Sequence, residues 1–321
     1  MNIVQVCNVG SICGGTAACA WSITRAFPEC RHEVLFLSSP SSETRKAFWP
    51  VPTRFVRRVD DEILSPCNPD FLILHNTSSA HVGPIRSCLC LQYCHSRGTH
   101  AAADWTVACS QWLQQQLPQQ AEILYQPVPA SSCWDSGSHF VETRHLDDVL
   151  TVGRLCTPQL KKWPPETLLF YAQLADRHSR IRWEFVGCPA AMQSPLQVAC
   201  RGRARFHPAG WGAQRHFRRW HVLLYHHPTL TESFGRTAAE AMLAGCLPIV
   251  DGKGGFREQI EHGKTGYLCQ TVDEFSTALD SLSLGHRWQM ARNARQSAEA
   301  RFSSAAFATE FRRLLKHYAG G

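Results

Sequence analysis

Short apolar runs alternate with segments of helical length along this chain, and the alternation occurs twice. NIVQVCNV (Asn2 to Val9) reads as a first strand; Gly14, Gly15 and Thr16 then open a helix to about Phe27, and HEVLFL (His32 to Leu37) supplies a second strand. Further strands are expected at Thr53 to Val59, Asp70 to Asn76, Cys88 to Cys94, Asp104 to Ser110 and Ala121 to Val128. These runs are apolar on both faces, the pattern of parallel strands buried between two helical layers. Parallel neighbours need long crossovers, so the alternation restricts the fold to doubly wound α/β sheets.

The stretch from Pro129 to His145 is rich in small, polar and breaker residues, which marks an interdomain linker. The alternation restarts at Asp148 with DVLTVGR. It continues through a helix from about Pro165 to Arg177, strands at Arg182 to Gly187 and Trp220 to His226, and the strand CLPIVD. With 321 residues, 44% of them hydrophobic, the chain can bury two modest cores. The expected division is a Rossmann-like domain over 1–130, a second over 146–300, and a terminal helix over 301–321 that packs back on the first domain. From Arg287 to Ala319 no breaker interrupts the helical spacing of Ala, Arg, Phe and Leu.

Charge is unevenly placed. Up to Pro127 nine Lys and Arg balance nine Asp and Glu, whereas the remainder holds 24 against 17, the whole of the net +7. A polyanionic ligand is therefore expected in the second half. Nucleic acid is not the expected partner, because the Arg-aromatic clusters at Arg201 to Phe206 and Arg215 to Trp220 come with no recognised nucleic-acid motif. The N-terminus lacks the basic and apolar regions of a signal peptide, and no run of eighteen apolar residues follows, so a cytoplasmic protein is expected. The neutral first domain gives no electrostatic pull toward an anionic membrane, which leaves apolar helices as the route for peripheral membrane contact. The fifteen cysteines are scattered, and those in strand-like runs (Cys7, Cys109, Cys188) suit small buried hydrophobes better than a disulfide framework.

The most informative segment runs from Thr229 to Leu268. Arg236 to Ala244 is a run of good helix formers, Gly245 stands at the expected C′ position and Pro248 stops continuation, so the helix begins just after Phe234 and Gly235. A helix N-terminus offers unpaired N–H groups and partial positive charge, suited to a phosphate, and Gly235 permits close backbone approach. Glu232 precedes the helix and Glu240 lies about a turn inside it. The two carboxylates can thus address separate hydroxyl-bearing parts of one extended ligand. Gly254 and Gly255 form a second glycine loop after the strand LPIVD, at the strand edge where doubly wound sheets bind ligands.

This segment resembles the Glu-x7-Glu motif of retaining glycosyltransferases of family 4, in the glycosyl transferases group 1. VGRL (Val152 to Leu155) followed by Lys161 or Lys162 resembles the basic pair that meets the donor diphosphate, and FVGCP (Phe185 to Pro189) resembles the strand end beside the nucleobase. Gly14 and Gly15 resemble the glycine loop of the first domain, and His95 in QYCHSRG resembles the histidine that contacts the transferred sugar.

The resemblance implies a GT-B fold, two doubly wound Rossmann-like domains facing across a cleft, and a hexosyltransferase-like, metal-independent activity. Glu232, Arg154, Lys161, Lys162 and His95 would be catalytic. Gly14, Gly15, Gly153, Cys188, Ser233, Phe234, Gly235, Arg236, Thr237 and Glu240 would bind the donor. A nucleotide-diphosphate sugar would be the substrate with no further cofactor, and the acceptor a carbohydrate, lipid-linked or small-molecule hydroxyl. A nucleotide-sugar epimerase of the same fold and a noncatalytic nucleotide-sugar binder are the alternatives.

No Asp-x-Asp pair occurs, so no catalytic metal is expected. Cys88, Cys90, Cys94, His95 and His100 lack the knuckle spacing of a zinc site. No G-x-G-x-x-G follows either first strand, which argues against a nicotinamide cofactor. Among the sixteen histidines, His75 competes with His95 for the site role.

Overall fold

The structure is a computed structural model describing residues 1–129 and 149–319. The expected linker past Pro129, and the start of the strand at Asp148, lie outside the described residues. By its internal contacts the chain forms two compact units, Met1–Pro129 with Arg301–Gly321, and Ala130–Ala300.

The first unit is built on a parallel sheet of β1 (Asn2–Cys7), β2 (Arg31–Phe36), β3 (Thr53–Phe55), β4 (Phe71–His75), β5 (Leu89–Cys94), β6 (Trp105–Ala108) and β7 (Glu122–Ile123). Their order is β3-β2-β1-β4-β5-β6-β7, so the direction of winding reverses between β1 and β4. The strands carry the core: Val4, Val6, Leu35, Leu72 and Leu74 are fully buried.

The last helix, Ser304–Ala319, closes one face of this sheet. The Phe311 ring packs 5.2 Å from Phe27 and 5.4 Å from Phe71, and Tyr318 stacks on Trp105 at 4.8 Å. Each buried phenylalanine contributes about 1.5–3 kcal/mol. The chain's C-terminal segment thus completes the N-terminal core.

The second unit repeats the plan. Strands β8 (Thr151–Leu155), β9 (Arg182–Val186), β10 (Ala204–His207), β11 (Val222–Tyr225), β12 (Leu247–Asp251) and β13 (Tyr267–Cys269) pair in parallel in the order β10-β9-β8-β11-β12-β13. Winding reverses between β8 and β11. β10 is not among the strands expected from the sequence; it arises from the Arg-aromatic cluster at Arg201 to Phe206 and the following His207. It is an edge strand with no fully buried residue, so its Arg and His alternate with Phe and the apolar signal is lost.

The helix Arg236–Leu243 ends in a Schellman motif: Gly245 N–H bonds Met242 O at 2.9 Å, Cys246 N–H bonds Ala241 O at 2.8 Å, and Gly245 has φ +67°. No helix among the described residues is long and apolar enough to cross a membrane. The cysteines among them are free thiols.

Candidate functional site

In doubly wound sheets a ligand crevice forms at the C-terminal strand ends where the strand order reverses. In the second unit that point lies between the ends of β8, at Leu155, and of β11, at Tyr225. The loops leaving these two strands converge there. Lys162, in the loop after β8, forms an ion pair with Glu232 Oε1 in the loop after β11, and Tyr225 OH donates to the same oxygen at 2.5 Å. Burial pushes the Tyr225 phenol well above its usual range, so it remains a donor. Lys162 and Glu232 retain 20% and 23% side-chain exposure, enough for a ligand to reach both.

His227, not anticipated from the sequence, fixes the two loops against each other. Its Nδ1 accepts from Thr229 N–H at 3.2 Å and Leu230 N–H at 2.8 Å, which leaves Nε2–H to donate to Lys161 O at 2.8 Å. Burial holds its pKa below the usual histidine value, favouring this neutral form. Beside it, Asp251 at the end of β12 accepts from His226 Nδ1–H at 2.6 Å and from His227 N–H at 2.8 Å. The signal that could have found His227 is its position two residues past Tyr225, on the loop leaving the reversal point.

Arg154 is fully buried, unlike an exposed phosphate clamp. Its Nη1 donates to His226 O and its Nη2 to Lys162 O, both at 2.6 Å, and its guanidinium lies 4.7 Å from the Trp163 ring and 5.1 Å from Tyr225. It ties the Lys162 loop to the end of β11. Of the two adjacent lysines, Lys161 is exposed and only its backbone carbonyl takes part, whereas the Lys162 ammonium reaches Glu232.

Gly235 caps the helix Arg236–Leu243 in the left-handed region, φ +81°, and a Cβ there would sit 2.3 Å from the Phe256 ring. Both the turn and the contact exclude a side chain. Gly235 at the N-cap has no side chain to cap this helix, and its first turn, with Arg236 and Thr237, follows the half-buried Ser233 and the buried Phe234. Glu240 lies one turn in and accepts from Arg236 Nε at 2.8 Å. Burial raises its pKa against the opposing pull of Arg236.

The second glycine loop serves as backing. Gly254 and Gly255 press on the 232–234 backbone, where a Cβ would approach Glu232 O at 2.4 Å or Ser233 O at 2.3 Å; Gly255 N–H bonds Glu232 O at 3.0 Å. The loop expected to aim at the strand ends thereby also shapes the Glu232 loop.

Two further expected donor residues, Gly153 on β8 and Cys188 beside Cys156 just past its end, are enclosed by packing. Gly153 is a packing position: a Cβ would fall 2.0 Å from the Trp220 indole, which covers it. Cys188 is buried in the loop after β9, where desolvation lifts its thiol to about 12 and keeps it protonated. The basic excess of the second half is also partly elsewhere. Arg180, Arg182, Arg203 and Arg205 line a 410 Å³ depression at the N-terminal strand edge, the wrong edge for a doubly wound site.

In the first unit the reversal point lies at the ends of β1 and β4. Gly14 and Gly15 follow β1 and begin the helix Gly15–Ala26; a Cβ on Gly15 would meet nothing within 4 Å among the described residues. His75 ends β4 and His95 follows β5. Their rings stack 5.1 Å apart and share a hydrogen-bonded chain: Gln126 Nε2 donates to His95 Nδ1 at 2.8 Å, His95 Nε2–H to His75 Nδ1 at 2.8 Å, and His75 Nε2–H to Gln5 Oε1 at 2.9 Å. Both ring nitrogens of each histidine are therefore engaged inside the unit. His75 is fully buried, and desolvation drives its pKa down to about 3.

Residues 217–301 match the family described as Glycosyl transferases group 1, a span that includes Glu232, Glu240 and both glycine loops of the second unit. A curated GDP-Man:Man(3)GlcNAc(2)-PP-Dol alpha-1,2-mannosyltransferase of Dictyostelium discoideum is 32% identical over 94 residues, 28% of this chain and 18% of that protein. An N-acetyl-alpha-D-glucosaminyl L-malate synthase of Bacillus anthracis is 36% identical over 84 residues, 25% of this chain and 22% of that protein. The chain thus aligns with about a fifth of the length of these two relatives.

Likeness to solved structures covers the whole chain. The Anabaena protein Alr3699/HepE in complex with UDP-glucose superposes with a TM-score of 0.74 at 15% identity, covering 98% of this chain and 99% of that one. Sucrose-phosphate synthase from Thermosynechococcus elongatus gives 0.73 at 13% identity and full coverage of both chains. At such identities the likeness is one of fold, and that fold is GT-B, as the resemblance of the Thr229 to Leu268 segment implied.

Proposed function

We propose that this GT-B protein, whose residues 217–301 match the glycosyl transferases group 1, moves a sugar from a nucleotide-diphosphate donor to an acceptor hydroxyl with retention of configuration, as in family 4. The observation that carries this reading is the ion pair of Lys162 with Glu232 at the β8/β11 reversal point, three residues before the glycine-led N-terminus of the helix Arg236–Leu243. A cation, a set of backbone N–H groups and a hydroxyl-binding carboxylate stand side by side, as the diphosphate and sugar of one ligand require.

The donor's diphosphate lies against the N–H groups of Arg236 and Thr237 and draws Lys162 off Glu232. The exchange leaves neither charge unpaired, because the diphosphate takes the Lys162 ammonium while the sugar hydroxyls take the Glu232 carboxylate. Freed, Glu232 binds the sugar hydroxyls with Tyr225 OH as support, while Glu240 takes the ribose hydroxyls. Arg154 acts through Lys162, holding its loop in place. As the glycosidic bond breaks, negative charge grows on the leaving phosphate, which Lys162 and the helix N-terminus stabilise. The leaving phosphate accepts the acceptor's proton on the same face, so neither an enzyme nucleophile nor a metal takes part in the transfer step.

The two curated relatives differ both in the sugar and in the acceptor that their names give, mannose with Man(3)GlcNAc(2)-PP-Dol and N-acetylglucosamine with L-malate, so the test spans several donors and acceptors. Nucleoside diphosphate release from UDP-, GDP- and ADP-sugars, with water or a hydroxyl panel as acceptor, tests the reading. Release that falls about a hundredfold or more in Glu232→Gln supports it; release unchanged in that variant contradicts it.

A further inference from the structure

A second cluster of chemical groups lies in the same unit, outside the candidate donor site. Glu184 on β9 is 3% exposed, and its Oε2 faces His207 Nε2, at the end of β10, at 3.3 Å, and His216 Nδ1, in the 3-10 turn Ala213–Arg218, at 3.9 Å. The three ligand atoms lie within 4.8 Å of one another. His216 is itself 6% exposed, and neither His207 Nε2 nor His216 Nδ1 has a hydrogen-bond partner among the described residues. Both nitrogens thus face the carboxylate without a hydrogen bond to it, a costly arrangement for buried polar atoms.

We propose that Glu184, His207 and His216 form a binding site for a divalent cation of the zinc type. Zinc bonds of about 2.0–2.2 Å in tetrahedral geometry place ligand atoms some 3.3–3.5 Å apart, a spacing this cluster meets with small side-chain shifts. One ion satisfies both orphaned nitrogens and the carboxylate at once, whereas a proton bridges only two of the three. Trp220 Nε1 donates to Glu184 Oε2 at 2.8 Å, orienting the carboxylate as partners of metal ligands do. His207 keeps 28% side-chain exposure, which provides an entry path and room for water as the fourth ligand.

The local architecture explains why these groups meet. Glu184 pairs in register with Gly153 on β8 and Arg205 on β10. The absent side chain of Gly153 lets Trp220 lie across the sheet to reach Glu184, and Trp220 N–H bonds His216 O at 3.1 Å, so one turn supplies both a ligand and the carboxylate's donor. An ion here clamps β9, the edge strand β10 and the turn before β11. Its role is structural, in holding the turn Ala213–Arg218 against the sheet.

The test is calorimetric titration of chelator-treated, reduced protein with zinc chloride, paired with the absorption spectrum of the cobalt(II) form. Expected are one tightly held ion per chain, affinity lowered tenfold or more in His207→Gln and in His216→Gln, no loss in the His286→Gln control, and a cobalt spectrum without a thiolate charge-transfer band. Absence of binding by the wild type overturns the proposal. So does binding undiminished by the two variants, or a thiolate band showing that the cysteines hold the ion. His207→Gln changes a part-exposed residue, and the wild-type cobalt spectrum is diagnostic even where His216→Gln unfolds.

Discussion

Lys162 and Glu232 are 70 residues apart in sequence and form an ion pair across the two loops where the strand order of the second unit reverses. The pair joins the two halves of the candidate site in one contact, and it distinguishes Lys162 from its exposed neighbour Lys161. Lys162→Met is expected to lower the rate of nucleoside diphosphate release by about ten- to a hundredfold, a loss of roughly 1.4–2.8 kcal/mol of transition-state stabilisation. Lys161→Met is expected to leave it within about twofold. Initial rates on the two variants measured side by side make the check.

Glycine is required at position 235 for two separate reasons, a positive φ and the nearby Phe256 ring. Gly235→Ala should cost roughly 2–4 kcal/mol in urea unfolding, from backbone strain and displacement of the ring. An unaltered unfolding midpoint would rule out the described turn.

Gly15 provides the opposite case, because a Cβ there enters open space at the start of a helix. Gly15→Ala should leave stability unchanged or raise it by up to about 1 kcal/mol. A fall in turnover in this stable variant would assign Gly15 to ligand approach, whereas wild-type turnover would make it an ordinary helix start.

His75 links stability to pH. Its pKa falls from 6.5 in the unfolded chain to about 3 in the folded one, so between these values the unfolded state binds the extra proton. Stability from this group is complete above about pH 6.5 and is lost as pH falls toward 3, with a slope near 1.4 kcal/mol per unit. In His75→Gln the wild-type slope between pH 6 and 4 should be shallower by about that amount. Parallel slopes in the two proteins would show that His75 does not stay neutral in the fold.

Much of this architecture was legible in the sequence because parallel strands buried on both faces leave continuous apolar runs, as in Phe71 to His75 and Val222 to Tyr225. The glycines around the Arg236–Leu243 helix were legible because φ values of +81° at Gly235 and +67° at Gly245 admit few other residues. Edge strand β10 was hidden by its polar composition, and His227 by lying in a loop with no periodicity. Gly153 shows the limit of motif reading: its smallness serves the Trp220 ring, a contact between positions 67 residues apart that no local pattern records. The burial of Arg154 was equally invisible, since the sequence shows a cation and the fold supplies the carbonyls and rings that enclose it.

The most direct test of donor binding in the second unit is a thermal-shift titration of the wild type and Glu240→Ala with UDP-, GDP- and ADP-sugars. A ligand that binds only the folded state stabilises it by about 2.7 kcal/mol at a hundredfold excess over Kd, a Tm rise of several degrees. The expected result is such a rise with one donor class in the wild type, markedly smaller in Glu240→Ala. Equal shifts in both proteins, or no shift with any nucleotide sugar, would contradict the placement of the donor between Lys162, Glu232 and Glu240.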